Sequence, residues 1–128
     1  MFREALVFAA KAHAGQKRRN GSPYIIHPIR VSQEVKDEVE KVVALLHDVL
    51  EDTPCTESDL AHFGDEVVDA VKAITHRKGE SYADYIVRVK ANKIATAVKI
   101  ADISDNLSDS PSEHAIEKSA KALETLLN

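Results

Sequence analysis

Residues 47 to 52 read His-Asp-Val-Leu-Glu-Asp and lie inside the run VEKVVALLHDVLEDTP, where an imidazole and three carboxylates interrupt an otherwise apolar stretch. On a helix, His47 and Glu51 are four apart, Asp48 and Glu51 three, and Asp48 and Asp52 four, so the four side chains share one face. Val42, Val43, Leu45, Leu46, Val49 and Leu50 fill the rest of the circumference, which predicts a central helix whose acidic face opens into a cleft. Carboxylates withdrawn from water need a cationic partner, a proton or a metal. A divalent cation is the economical partner for so many acids on one face. The His-Asp dipeptide alone is a weak signal, since two such residues more often cap a helix or line a solvated surface.

Two further stretches add to it. PYIIHP places His27 just ahead of Pro28, which predicts an extended residue at the mouth of a helix that Pro28 opens. VKIADISDN places Asp102 and Asn106 four apart on a late helix flanked by Val98, Ile100, Ala101 and Ile103. A second carboxylate among apolar residues raises the same question as the first. Three consecutive cations in QKRRNG, Lys17 to Arg19, read in isolation as a solvated loop.

The elements that must carry these residues are helices, because apolar residues recur at helical spacing along almost the whole chain despite the abundance of Val and Ile. Phe2, Leu6, Ala9, Ala10 and His13 form one face of a first helix, and GQKRRNGSP breaks it with turn residues. Asp37 and Glu40 have capping-box spacing and start the helix that carries HDVLED, which Pro54 stops. Thr56 with Asp59, Ser81 with Asp84, and the amphipathic stripe Val67, Val68, Val71 and Ile74 mark later helices. A further helix spans about 92 to 107, and SPSEHAIEKSAKALETLL supplies a last one. The fold class is therefore all-α, one compact multi-helix domain over residues 1–128, without repeat, linker or low-complexity tract.

Composition narrows the function. Lys+Arg 17 against Asp+Glu 21 gives a formal charge of −4, and aromatic residues are 5%, which leaves neither a phosphate track nor a stacking platform for nucleic acid. Cys55 is the single cysteine, with neither a disulfide partner nor a zinc-type pair, as suits a cytoplasmic protein. The N-terminus has no signal-peptide pattern and no apolar run is long enough to span a bilayer, so no membrane partner is expected. His13 and His62 read as structural, and His76 and His114 as surface residues.

Taken in order, AHAGQKRRNGSPYIIHP, ALLHDVLEDT, HFGDEVVDAV and VKIADISDN resemble the hydrolase domain of the RelA/SpoT-type alarmone enzymes, within the HD superfamily of metal-dependent phosphohydrolases. The resemblance covers about residues 4 to 109, and its organisation is that of a stand-alone small alarmone hydrolase. It implies metal ligands at His27, His47, Asp48 and Asp102, a mixed nitrogen and oxygen set suited to Mn²⁺, Fe²⁺ or Zn²⁺, with Mn²⁺ usual in the family. It implies that Glu51 and Asp52 handle the attacking water. Arg18 and Arg19 match a basic pair that grips phosphates and stacks on a purine, Asn106 a residue near the ribose, and Tyr24 and Lys99 further substrate-site positions. The implied reaction is hydrolysis of the 3′-diphosphate of guanosine 3′,5′-bis(diphosphate), ppGpp, to pyrophosphate and GDP. After Asp102 the chain departs from the family, with Ile103, Ser104 and Asp105 before Asn106 and Ser108 where Arg is usual. The alternatives are an HD phosphohydrolase for a different nucleotide and a non-catalytic domain that senses a metal or nucleotide.

Overall fold

Five consecutive residues, Val42 to Leu46, are buried in α3 (Glu38–Leu46), so this helix has no solvent face along its second half and must be surrounded. It packs against α1 (Phe2–Ala12), α2 (Ile26–Gln33), α6 (Asp65–Ile74) and α8 (Lys93–Leu107). Short α4 (Val49–Asp52) and α5 (Glu57–Leu60) follow α3, a 3₁₀ turn at Ala61–Phe63 leads into α6, and α7 (Tyr82–Lys90) and α9 (Glu113–Leu127) pack beside α8. This computed structural model describes residues 1–128, all of them helix or connecting turn apart from an isolated bridge between Lys17 and Pro23. Twenty-five buried apolar residues from Ala5 to Leu126 form one continuous core. Many are valines, whose modest helix propensity is outweighed by burial worth roughly 1.5–3 kcal/mol per side chain. No helix is long and apolar enough to cross a membrane.

The caps expected at Asp37, Thr56 and Ser81 form, and Asn92 and Ser112 add two beyond those expected from sequence. Asp37 and Glu40 make the reciprocal box at the start of α3, Thr56 and Asp59 do so at α5, and Ser81, Asn92 and Ser112 accept from the backbone at the starts of α7, α8 and α9. Gly64, with φ of 97°, joins the 3₁₀ turn to α6 in a conformation that favours glycine. Lys41 of α3 donates from Nζ to the carbonyls of Ser32 (3.0 Å) and Val35 (2.8 Å), which ties the end of α2 to α3.

Three local expectations change. The helix carrying HDVLED is interrupted at His47 and Asp48, the latter at φ −105° and ψ −1°, so His47 and Asp48 occupy a bend between α3 and α4. His27 lies inside the first turn of α2, with its N–H bonded to the Tyr24 carbonyl, and is not extended. Pro28 is harmless there because first-turn N–H groups have no intrahelical acceptor, and the bias on the residue before proline yields to packing. On α1 Ala9 and the following His13 are buried together with Ala5, and Phe2 and Leu6 pack half-buried against the core, but Ala10 is exposed and lies off the apolar face.

The turn between α6 and α7 is held by one guanidinium. Arg88 donates to the carbonyls of Ala73 (3.0 Å) and Thr75 (2.7 Å) at the end of α6 and forms two 2.8 Å bonds with the Glu80 carboxylate. His76, expected at the surface, is instead half-buried, stacked on Tyr85 with 4.6 Å between ring centroids. The Arg88 bonds hold the Glu80 carboxyl down at about 2, against 4.5 for a free side chain. A depressed carboxyl stabilises the fold above the unfolded-state value, and that contribution disappears as pH falls through the folded value. E80Q should therefore melt below wild type at pH 7, with the gap closing between about pH 4.5 and 2 in thermal melts followed by circular dichroism.

Candidate functional site

Three remote stretches of chain converge beneath one cleft. His27 comes from the first turn of α2, His47 and Asp48 from the α3–α4 bend, and Asp102 from the middle of α8. Ligand-capable atoms of His27, His47 and Asp102 all lie within 4.8 Å of one another, and the three residues are buried. His27 Nε2 is 2.8 Å and His47 Nε2 3.3 Å from Asp102 Oδ1. Asp48 Oδ2 is 3.0 Å from His47 Nε2 and 3.8 Å from His27 Nε2, and it accepts a hydrogen bond from the Tyr24 hydroxyl.

The backbone decides how His47 is used. Its Nδ1 is 2.6 Å from the Ala44 carbonyl, which can only accept, so Nδ1 carries the proton. Nε2 is then turned toward two carboxylates, buried and without a hydrogen-bond partner. A bare lone pair facing two anions is repulsive, and either a proton or a cation must sit between them. Burial favours the neutral ring, but Asp48 and Asp102 outweigh it and raise the affinity of His47 for a proton. Burial likewise opposes the Asp102 charge, yet Lys99, 2.9 Å away, and the imidazoles hold its carboxyl well below the usual carboxylate range. Two imidazole nitrogens and carboxylate oxygens at this separation fit a divalent ion by chemistry and by orientation.

Above this floor the cleft encloses about 520 Å³, the size of a small-molecule site. Glu51 and Asp52 stand at its acidic edge; the main-chain N–H of His76 donates to Glu51 Oε1 at 2.9 Å. Burial first, then the Asp48 and Glu51 charges, raise the proton affinity of Asp52. Arg19 is exposed on the rim, whereas Arg18 is drawn inward, donating to Asp105 at 2.9 Å and to Asn106 at 3.4 Å. Asn106 in turn donates to Asp102 at 3.2 Å. Tyr24 and Lys99 thus touch the floor directly, and every site residue expected from sequence borders this one cleft or lies beneath it.

Two contributors lacked an assigned role in the sequence. Asp105, noted only as a departure from the family pattern, is buried and lies 2.7 Å from His27 Nδ1, while Arg18 and Arg30 lie 2.9 and 2.8 Å from its oxygens. Burial opposes its charge, but those partners outweigh it and lower its carboxyl. Its spacing of three from Asp102, the same as that of Glu51 from Asp48, was the available signal. Lys118 of α9 lines the far wall, its Nζ 4.1 Å from the centre of the Tyr82 ring.

Comparison with known proteins shows the family to which this fold belongs. The HD domain family model matches residues 5–99, and the chain belongs to that family. It is 35% identical over 126 residues to a GTP pyrophosphokinase of Myxococcus xanthus, and 33% identical over 121 residues to a guanosine-3′,5′-bis(diphosphate) 3′-pyrophosphohydrolase of Vibrio cholerae. The alignments cover 84% and 82% of this chain but 17% of either relative, so the chain spans about a sixth of their length. A solved structure of a metazoan ortholog of SpoT, a protein described as hydrolysing ppGpp, superposes with a TM-score of 0.81 at 30% identity, covering 98% of this chain and 84% of that one.

A cation that binds only the folded site stabilises the fold by mass action, by about 2.7 kcal/mol at a hundredfold excess over Kd. Mn²⁺ added to chelator-treated protein should raise its melting temperature by several degrees, and D102N should lose the shift. Differential scanning fluorimetry with and without the ion reads both.

Proposed function

We propose that residues 1–128 act as one HD-type phosphohydrolase domain that hydrolyses the 3′-diphosphate of ppGpp to pyrophosphate and GDP. The observation that carries this reading is the unpartnered, buried Nε2 of His47 facing Asp48 and Asp102 at the floor of a cleft with cationic walls. The named activity of the Vibrio cholerae relative and of the metazoan ortholog supports the choice of substrate.

His27, His47, Asp48 and Asp102 are the ligands in this reading, and Mn²⁺ is the ion, with Fe²⁺ or Zn²⁺ suited to the same donors. Such an ion supplies, when bound, water acidified to near neutral pH and positive charge against the phosphate. Glu51 and Asp52 orient the attacking water and take its proton, a task that suits the raised proton affinity of Asp52. The water oxygen bonds to the phosphorus attached to O3′, the phosphorus–O3′ bond breaks, and O3′ leaves with a proton. Arg19 and Arg18 meet the phosphates, Asn106 stands toward the ribose, and Tyr24 and Lys99 steady the floor through Asp48 and Asp102. The substrate is a free nucleotide and not a nucleic acid, and the setting is cytoplasmic.

A second reading, hydrolysis of another nucleotide, is favoured by Asp105, which occupies Arg18 and so leaves Arg19 as the freer cation of the pair. A panel of nucleotides incubated with the Mn²⁺-loaded protein separates the two readings.

Purified protein with Mn²⁺ and ppGpp should release pyrophosphate, and D48A should lose both metal and turnover. Turnover no greater than that of D48A would count against the reading. E51Q should retain the ion while losing roughly 10²–10⁴ in rate, measured by metal analysis beside steady-state kinetics. R19A should raise KM about tenfold with kcat nearly unchanged, as removal of a contact made equally to substrate and transition state does.

A further inference from the structure

A histidine ligand is useful only if its free lone pair is aimed at the ion, and the partner on its other nitrogen sets that aim. For His47 the partner is the Ala44 carbonyl. For His27 it is a side chain that nothing in the HDVLED stretch would suggest. Asp105 Oδ2 lies 2.7 Å from His27 Nδ1, while His27 Nε2 is turned to the shared centre, 2.8 Å from Asp102. Asp105 is itself fixed from two directions, by Arg18 Nη1 at 2.9 Å on Oδ2 and Arg30 Nε at 2.8 Å on Oδ1, and its side chain is only 4% exposed. Two guanidiniums from separate elements therefore keep it an ionised acceptor in one orientation.

We propose that Asp105 is a positioning residue for the metal centre: it holds the proton of His27 on Nδ1 and thereby presents Nε2 to the cation. The inference rests on the metal-centre reading above and adds to it a residue outside the ligand set. Asp102 and Asp105 then divide two tasks on one face of α8, Asp102 reaching the inner nitrogen of His27 and Asp105 the outer. Arg18, which borders the substrate cleft, also acts on this arrangement, since it shares Oδ2 with His27.

The test is Mn²⁺ affinity measured by calorimetry on the whole chain, with D105A and D105N beside wild type and chelator-treated melts to follow folding. Loss of an outer partner of a ligating histidine typically weakens binding about 10–100-fold, and that is the loss expected of D105A. D105N keeps an acceptor oxygen of the same reach and should remain within a few-fold of wild type. A D105A protein with wild-type affinity, or a D105N protein as weak as D105A, overturns the proposal while leaving the metal centre in place. Wild type that binds no Mn²⁺ overturns the metal centre and the proposal together. Should D105A not fold, long-range ¹H–¹⁵N spectra of the Zn²⁺-loaded wild type decide: a His27 proton on Nδ1, shielded from exchange, supports the assignment, and a proton on Nε2 refutes it.

Discussion

Everything in the cleft follows from one electrostatic constraint: two carboxylates and two imidazoles packed together, all but Asp48 of them buried, must share positive charge. The molecule supplies part of it through Lys99, which is bonded to Asp102 and lies over the Tyr85 ring. The remaining demand falls between His27, His47, Asp48 and Asp102, where the two Nε2 atoms meet anionic oxygen from both sides. Such a grouping is tolerable only because the surrounding core is rigid enough to keep it from relaxing outward. Val42 to Leu46 are buried on every side, and Lys41 fastens α2 to α3, so the two histidine-bearing segments are held in register.

The helices were largely legible because local chemistry marked them. Asp37 with Glu40, Thr56 with Asp59, and Ser81 with Asp84 announce helix starts by side chains that accept backbone protons, and such signals are read within four residues. The break between α3 and α4 was not legible. Nothing in LLHDVLED is a helix breaker, and the bend at Asp48 reflects tertiary placement of its carboxylate beneath Tyr24 and beside His47. His27 entered the first turn of α2 for a similar reason, since packing overrode a weak bias from Pro28.

At the site, the sequence pattern pointed to residues that gather around one cleft, and resemblance to a family ordered them; composition and spacing alone would have left Asp102 and His27 unconnected to HDVLED. What escaped was the outer layer. Asp105 carries no motif of its own, and its value lies wholly in what it meets 78 and 87 residues earlier in the chain. His76 looked like a surface residue because its neighbours Arg77, Lys78 and Gly79 are polar or flexible, yet its ring stacks inside an aromatic cluster.

The hold on Glu51 comes from the main-chain N–H of residue 76, not from the imidazole attached to it. Every amino acid but proline brings that donor, so the anchor tolerates evolutionary drift at this position in a way that a side-chain anchor never could. Arg88 keeps the peptide in place by gripping carbonyls of the same turn, so the alignment of the acid is inherited through backbone path and guanidinium, and identity at position 76 is left to answer to the stack on Tyr85 and the 2.7 Å bond of the ring to the Glu80 carbonyl.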